Sequence, residues 1–168
     1  MKKTNIVLVG FMGAGKSVAS EILATQLGLE HVSTDAVIVE REGRSINQIF
    51  EQDGEEYFRN IETLIVRELS QRQRLVIDCG GGVVLRPENV AALKRQGLMI
   101  YLKTSPDVIY DRIKHETHRP LLKVEDPLDK IQGLLAARAS FYAQADQEIL
   151  TDGKTADEVA QEIVGLLK

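Results

Sequence analysis

The most informative stretch of the sequence is a glycine-rich loop near its beginning. Residues 10–17 read GFMGAGKS and fit the pattern G-x-x-x-x-G-K-[ST], whose glycines let backbone N–H groups turn toward phosphate oxygens. In this pattern the side chain of Lys16 reaches the β- and γ-phosphates, and the hydroxyl of Ser17 can ligate Mg²⁺. The loop therefore predicts nucleotide binding, with contacts from Gly13, Ala14, Gly15, Lys16, Ser17 and Val18.

A second candidate for metal binding lies at the end of a strand-like segment. Residues 75–79 read LVIDC, a short apolar run that ends at Asp78. In phosphate-loop enzymes a carboxylate in this position helps to hold Mg²⁺, although an aspartate after a strand is often only a turn or a helix cap. The sequence leaves both interpretations open, and it makes Ser17 and Asp78 the candidate metal ligands.

The elements that must position these residues alternate between strands and helices. The phosphate loop leads into a predicted helix over 15–27, whose Val18, Ile22 and Leu23 share one side. A final helix over 156–167 repeats apolar residues at spacings of three and four. Apolar runs predict five strands, at 5–9, 30–33, 75–77, 98–102 and 147–150. This alternation predicts an α/β fold with a mostly parallel sheet that helices cover on both faces.

The length of the chain indicates one domain with two excursions from this layout. The 168 residues fit a single domain with a sizeable core, and Pro87 and Pro106 mark predicted helix starts. Residues 36–70 form a long helical region before the third strand. Residues 114–126, KHETHRPLLKVED, are polar and predict a mobile loop.

Composition and charge exclude several classes of protein. The net charge of −4 argues against the basic face that nucleic-acid binding needs. No apolar run reaches the ~18 residues of a membrane helix, and the single Cys79 excludes an internal disulfide, as is typical of cytosolic proteins. The first residues loosely imitate a signal peptide, but Lys16 interrupts that pattern and the phosphate loop occupies the same stretch. We therefore expect a cytoplasmic protein without a nucleic-acid or membrane partner.

Four further features could bind the group that receives the phosphate. Asp35 follows the second predicted strand and three glycines follow the third, at the edge where open parallel sheets bind ligands. Arg59 and Arg138 lie on predicted helices, where either one alone would be interpreted as a solvated surface charge. Arginine nevertheless suits bidentate recognition of a carboxylate, and Glu62, three residues after Arg59, can hold its guanidinium.

Taken together and in this order, these stretches resemble the shikimate kinase family along nearly the whole chain. The phosphate loop GFMGAGKS is the first stretch that carries the resemblance, and STDAVIVEREGRSINQIF is similar to the family's D-x-D-x-x-I-E segment and the helix after it. The other stretches are GEEYFRNIE, the triple-glycine turn CGGGVV, HRPLL, and ARASFY, which contains the R-x-x-x-Y motif of a helix. Phosphate loops are shared widely. The triple glycine, F-R-x-x-E and R-P-L-L in this order are much more specific.

The resemblance implies ATP-dependent phosphorylation of the 3-hydroxyl of shikimate, in the pathway to chorismate and the aromatic amino acids. It implies a three-layer α/β P-loop kinase fold with a five-stranded parallel sheet of the nucleoside monophosphate kinase type. A single kinase domain over 1–168 would include an acceptor-binding helical region at about 34–70 and a lid at about 114–126. ATP and shikimate would be the partners and Mg²⁺ the cofactor, and the chain would be a monomer.

The resemblance also implies roles for individual residues. Lys16, Asp35 and Arg119 would be catalytic. Lys16 would neutralise phosphate charge and Asp35 would accept or orient the proton of the attacking hydroxyl, while Arg119 would reach over the phosphates when the lid closes. Arg112 would stack on adenine. The residues expected to bind shikimate are Asp35, Arg59, Gly80, Gly81, Gly82 and Arg138.

Three residues depart from the family's pattern. Ser33 stands where the D-x-D segment has its first aspartate, which usually lies near the hydration shell of Mg²⁺, and Asp78 stands where the family commonly has a small residue. Two interpretations follow. Either the carboxylate near Mg²⁺ is supplied by Asp78 on the third strand instead of position 33 on the second, or it is lost and metal binding is weaker. The third, Cys79, where threonine is common, is interpreted as a small packed residue.

Other functions remain open at this point. A GTPase is disfavoured because the sequence has no N-K-x-D motif for reading a guanine base, and 168 residues leave little room for the extra machinery of a motor. A sugar-acid kinase of the gluconate kinase type would also use arginines for a carboxylate. A catalytically silent nucleotide-binding module is supported only by Ser33.

Overall fold

A five-stranded parallel sheet forms the centre of the structure, a computed structural model that describes residues 3–168. Every pair of neighbouring strands is parallel, and the spatial order is β2-β3-β1-β4-β5. The strands are β1 (Asn5–Val9), β2 (Glu30–Ser33), β3 (Leu75–Asp78), β4 (Gly97–Lys103) and β5 (Gln147–Leu150). The predicted parallel sheet and its five strands are confirmed.

Seven α-helices within residues 3–168 connect and cover the strands. They are α1 (Lys16–Leu27), α2 (Thr34–Glu42), α3 (Ile46–Leu69), α4 (Pro87–Gln96), α5 (Pro106–Ile113), α6 (Pro127–Tyr142) and α7 (Ala156–Leu166). Pro87 and Pro106 each begin a helix, as predicted, because proline lacks the N–H that the first turn leaves unpaired. In this described part of the chain no helix is both long enough and apolar enough to span a bilayer.

Side chains of the central strand point alternately into two cores, one on each face of the sheet. Val7 and Val9 lie in the core that the sheet forms with α3 and α4. Ile6 and Leu8 lie in the opposite core, with α1 and α7. A strand buried on both faces needs a continuous apolar run, which is why the first strand is apolar from Ile6 to Val9. The three-layer arrangement predicted from the sequence is confirmed.

The helical region after β2 consists of two helices rather than one. Ser33 caps α2, since its hydroxyl accepts a hydrogen bond from the N–H of Ala36 at 3.2 Å. Ser45 begins α3 with a capping box that includes Gln48. Within α3, Gly54 has φ 85° and ψ 174°, a conformation essentially restricted to glycine. This glycine bends the helix between its first two turns and the part that carries Arg59.

The segment 114–126 forms a loop whose only regular element is the short 3₁₀ turn Pro120–Leu122. Leu121 is buried in a small apolar cluster with Phe11 and Ile131. The side-chain amide of Asn47, in the first turn of α3, donates a hydrogen bond to the carbonyl of His118 at 3.0 Å. The loop therefore contacts the beginning of α3.

Candidate active site

The phosphate loop connects β1 to α1 at the carboxyl edge of the sheet. Gly13 and Gly15 have φ angles of 77° and 87°, which side chains rarely allow. A Cβ atom on Gly13 would also lie 2.8 Å from a methyl group of Ile113. The glycines of the motif are thus required both by the turn of the loop and by the packing of α5 against it.

Lys16 is buried at the first residue of α1. Its ammonium group donates to the carbonyls of Gly10 at 2.8 Å and Phe11 at 3.0 Å. Burial lowers the pKa of Lys16, while the carboxylates of Asp78 and Asp35 act in the opposite direction. The ammonium is therefore held inside the loop, close to two acidic side chains.

The two candidate metal ligands are in direct contact. The hydroxyl of Ser17 donates a hydrogen bond to Oδ2 of Asp78 at 2.7 Å, and Asp78 is only 6% exposed. Asp78 and Ser33 are register partners at the ends of β3 and β2, so they are neighbours at this edge of the sheet. Ser33 is engaged as the cap of α2. Of these two residues at the strand ends, Asp78 is therefore the one that places a carboxylate against the phosphate loop.

The triple-glycine turn after β3 lets several charged side chains approach its backbone. A Cβ on Gly80 would lie 2.7 Å from Oδ1 of Asp35 and 3.2 Å from Oε2 of Glu62. A Cβ on Gly82 would lie only 2.3 Å from Nη2 of Arg59. Substituents at positions 80 and 82 would therefore displace the polar groups that surround the turn.

Arg59 is held by a buried ion pair, as its spacing from Glu62 predicts. Its Nη1 donates to Oε1 of Glu62 at 2.8 Å, and the side chain of Glu62 is fully buried. Burial raises the pKa of Glu62, and the charge of Arg59 opposes that rise. The side chain of Arg59 is 12% exposed, so the interpretation of this residue as a solvated surface charge is wrong.

Three buried polar atoms around this turn have no hydrogen-bond partner within residues 3–168. They are Oδ1 of Asp35, Nε of Arg59 and Oε2 of Glu62. Burial raises the pKa of Asp35, and Asp78 adds to the rise while Lys16 and Arg59 oppose it. An unsatisfied buried polar group costs about 1–3 kcal/mol. A donor and two acceptors left unpaired in one place indicate a polar ligand that carries complementary groups.

Helix α6 contributes Arg138 and Tyr142 to the other side of the turn. The guanidinium of Arg138 lies 5.7 Å from the ring centroid of Phe11, and a Cβ on Gly81 would lie 3.6 Å from its Nη1. The hydroxyl of Tyr142 donates to the carbonyl of Gly81 at 2.6 Å, and its ring stacks on Tyr101 with centroids 4.6 Å apart. Tyr142 thus fixes the turn next to Arg138.

A cleft of about 320 Å³ brings most of the predicted residues together. Arg119, from the 114–126 loop, is one of its lining residues. From the phosphate loop and strand ends the lining includes Gly13, Gly15, Lys16, Ser17, Val18, Asp35, Asp78, Gly80 and Gly81. Gly82, Arg59 and Arg138 do not line this cleft; Gly82 and Arg59 are adjacent to each other, and Arg138 lies near Gly81. These predicted residues form one continuous region at the carboxyl edge of the sheet.

Arg112 and Ala14 belong to a second depression of about 250 Å³ beyond the phosphate loop, which Lys154 and Ala156 also line. Nη1 of Arg112 donates to the carbonyl of Gly13 at 3.0 Å. Val18 lines both depressions and is 54% exposed. Its assignment to one side of α1 with the buried Leu23 is wrong, because residues five positions apart lie on different faces of a helix with about 3.6 residues per turn. Lys16 and Ala19, near Val18 in the sequence, are buried.

Sequence reasoning did not identify the contribution of Thr34. Its hydroxyl accepts from the N–H of Gly80 at 3.0 Å and lies 3.5 Å from the carbonyl of Asp78. Nor did it assign a role to Tyr142, although the R-x-x-x-Y motif contains it. The R-x-x-x-Y motif could have indicated a role for Tyr142. No motif indicates Thr34, because its partner Gly80 is 46 positions away in the sequence.

The family model for shikimate kinase matches residues 12–168. The chain belongs to the shikimate kinase family. Shikimate kinases from Dehalococcoides mccartyi and Geobacter metallireducens are 45% and 43% identical to it, over 99% and 98% of this chain and 94% and 92% of the relatives. A solved shikimate kinase from Acinetobacter baumannii, in complex with shikimate, matches with a TM-score of 0.93 and 39% identity, and the match covers 98% of this chain and 92% of that chain.

Membership in the shikimate kinase family makes the chain an ATP-dependent kinase with an alcohol acceptor. The P-loop kinase fold implied by the resemblance is confirmed by the solved shikimate kinases. The family match also decides against the gluconate kinase interpretation, which the arginines alone left open.

Proposed function

We propose that the residues around the cleft transfer the γ-phosphate of ATP to the 3-hydroxyl of shikimate, giving shikimate 3-phosphate and ADP. The observation that carries this proposal is the group of unpaired buried atoms on Asp35, Arg59 and Glu62. Shikimate offers one carboxylate and three hydroxyls on a small ring. A ligand with hydroxyl donors and an anionic acceptor matches two carboxylate oxygens and one guanidinium N–H.

Recognition of the acceptor is proposed to depend on charge at two positions. Arg59 and Arg138 bind the carboxylate, since arginine presents a planar pair of donors to it. Oε2 of Glu62 and Oδ1 of Asp35 accept hydrogen bonds from ring hydroxyls. The glycines at 80–82 allow the ring to contact the backbone, and the Tyr142 hydroxyl keeps that backbone in place.

Asp35 is proposed to receive the proton of the attacking hydroxyl. Burial raises the pKa of Asp35, which makes the carboxylate a better proton acceptor than an exposed aspartate. As the hydroxyl oxygen bonds to the γ-phosphorus, the bond from that phosphorus to the β-phosphate oxygen breaks and ADP departs. Phosphoryl transfer depends mainly on positioning and charge neutralisation, so Asp35 also acts by orienting the acceptor.

The nucleotide is proposed to bind across both depressions. The loop N–H groups and Lys16 hold the phosphates, and Lys16 exchanges its contacts with the Gly10 and Phe11 carbonyls for phosphate oxygens. Arg112 and the depression behind it receive the adenine. Arg119, in the proposed lid at 114–126, approaches the transferred phosphate from the opposite side of the cleft. That the chain is a monomer and that it is cytoplasmic both stay predictions.

The residues present fit Mg²⁺, which we propose binds with ATP. A hydroxyl and a carboxylate are hard oxygen ligands, and Ser17 and Asp78 present both at one point. Within residues 3–168 no three His, Cys, Asp or Glu side chains converge as a metal cage, which suits an ion that keeps several waters and the phosphates. When bound, Mg²⁺ neutralises charge on the β- and γ-phosphates.

A coupled assay of ADP release tests the proposed reaction. With Mg·ATP we expect rapid turnover with shikimate, and only background rates with gluconate or without an acceptor. Comparable rates with gluconate would overturn the choice of acceptor. Equal rates with and without shikimate would show an ATPase, and no turnover at all would favour a silent nucleotide-binding module.

A binding experiment with Mn²⁺ and ADP tests the metal ligands without turnover. The amount of bound Mn²⁺ is measured from the loss of the EPR signal of the free ion. Asp78→Asn should weaken Mn²⁺ binding and leave shikimate binding unchanged. Ser33→Asp, added to that variant, should restore part of the affinity because the two positions are neighbours in register. Unchanged Mn²⁺ affinity in Asp78→Asn would show that Ser17, phosphates and water suffice.

A further inference from the structure

We propose that Glu116 is a positioning residue, which orients the guanidinium of Arg119 toward the transferred phosphate. This inference rests on the proposed role of Arg119 in the reaction. Glu116 lies three residues before Arg119 in the 114–126 loop, and its Oε2 accepts a hydrogen bond from Nε of Arg119. No motif in the sequence singles out Glu116.

The contact uses only one edge of the guanidinium. Nε of Arg119 is engaged by Glu116, whereas Nη1 and Nη2 have no hydrogen-bond partner among residues 3–168. Arg119 lines the same cleft as Lys16 and Asp35. Burial lowers the pKa of Lys16, and the positive charge of Arg119 adds to that effect. The guanidinium of Arg119 therefore lines the same cleft as Lys16, with Nη1 and Nη2 available to a ligand there.

The backbone around Arg119 is already anchored on both sides. The carbonyl of His118 accepts a hydrogen bond from Asn47 at 3.0 Å, and Leu121 is buried against Phe11. What remains free is the long side chain of Arg119, which has many rotamers in solution. Glu116 reduces that freedom, so that the guanidinium needs no reorganisation when ATP binds.

The opposite role for Glu116 would be a brake that neutralises Arg119 and competes with phosphate. The two roles predict opposite changes in kcat when Glu116 is replaced, because removing a brake raises turnover whereas removing a positioning contact lowers it. The side chain of Glu116 is 33% exposed, and partly exposed ion pairs contribute little to stability. The imidazole of His118 is its other polar neighbour, with Nε2 3.9 Å from Oε2 of Glu116. Variants at 116 should therefore fold normally.

The experiment compares Glu116→Ala and Glu116→Gln with Glu125→Ala, a matched loss of charge at an exposed position of the same loop. Because small misplacements of a reacting group are costly, we expect Glu116→Ala to lower kcat about tenfold, with little change in the KM for shikimate. Glu116→Gln keeps an acceptor for Nε and should recover most of the loss. Glu125→Ala should have the kcat and KM of the wild type. Every variant should have the melting temperature of the wild type.

A double-mutant cycle with Arg119→Ala separates failure of this inference from failure of the proposed function. If Glu116 acts through Arg119, Glu116→Ala should have no further effect in the Arg119→Ala background. An equal loss in both backgrounds, a rise in kcat, or no effect of Glu116→Ala would overturn the positioning role. Wild-type turnover by Arg119→Ala would instead refute the role of Arg119 itself.

Discussion

Replacing Gly82 with alanine perturbs the acceptor pocket without removing any of its polar groups. Gly82 has φ −99° and ψ 8°, which alanine can adopt, so the backbone is not strained. The added methyl would lie 2.3 Å from Nη2 of Arg59, and ordinary contact begins at 3.4 Å. The guanidinium must retreat by the difference, 1.1 Å. Such a shift breaks the 2.8 Å bond to Glu62 or turns the guanidinium away from the carboxylate of the acceptor.

The cost can be worked out from that displaced hydrogen bond. A hydrogen bond to a charged group is worth about 1.5–3 kcal/mol, so Gly82→Ala should raise the KM for shikimate by about 10- to 150-fold. The KM for ATP should change little, because Gly82 does not line the cleft that holds the phosphate loop. Steady-state kinetics with each substrate varied in turn provides the measurement.

Two comparison variants sharpen this test. Arg59→Lys should produce the same selective rise in the KM for shikimate, since lysine lacks the bidentate fork. Gly133→Ala, in the middle of α6 with nothing within 4 Å of its added Cβ, should leave both KM values unchanged. An equal rise in both KM values, or a wild-type KM for shikimate in Gly82→Ala, would refute the assignment of Arg59 to the acceptor.

Three further predictions concern the loop, the bent helix and the buried aspartate. Lys16→Ala should lower kcat by at least about 10²-fold in the same coupled assay, with an unchanged circular dichroism spectrum; near-normal turnover would contradict its role. Gly54→Ala should destabilise the protein by about 1–3 kcal/mol in urea, whereas Gly133→Ala should stabilise it by about 0.5–1 kcal/mol. Because burial raises the pKa of Asp35 above 3.8, its contribution to stability is greatest below pH 3.8 and is lost as the pH rises through the raised pKa. Asp35→Asn should therefore melt at or above the wild-type temperature near neutral pH while losing activity, and this advantage should vanish in acid; a lower melting temperature at neutral pH would contradict the raised pKa.

The parts of the fold that were predicted correctly have local signals. The first strand is apolar at consecutive positions because it is buried on both faces, and the phosphate loop has fixed glycines because its φ angles require them. The weaker strands at 30–33 and 147–150 also form, although both lie at the edges of the sheet and are only partly buried. The break at Gly54 was not predicted, because a glycine inside a helical pattern is often tolerated.

The parts of the site that the sequence alone could not predict depend on contacts between distant segments. The spacing of Arg59 and Glu62 allowed an ion pair, but it gave no sign that Glu62 would be fully buried beneath the glycines. Tyr142 is 61 positions from the Gly81 carbonyl that it contacts. Val18 was misplaced because residues five positions apart, such as Val18 and Leu23, lie on different faces of a helix.

The stack of Tyr101 on Tyr142 also gives the protein an intrinsic optical reporter. The chain contains four tyrosines and no tryptophan, so its ultraviolet emission comes from tyrosine alone and no indole masks it. One ring of the stack is bonded through its hydroxyl to the Gly81 carbonyl, so a ligand that settles on that turn changes the surroundings of the fluorophore. We therefore expect acceptor binding to change the unlabelled fluorescence of the protein, even in variants that no longer turn over.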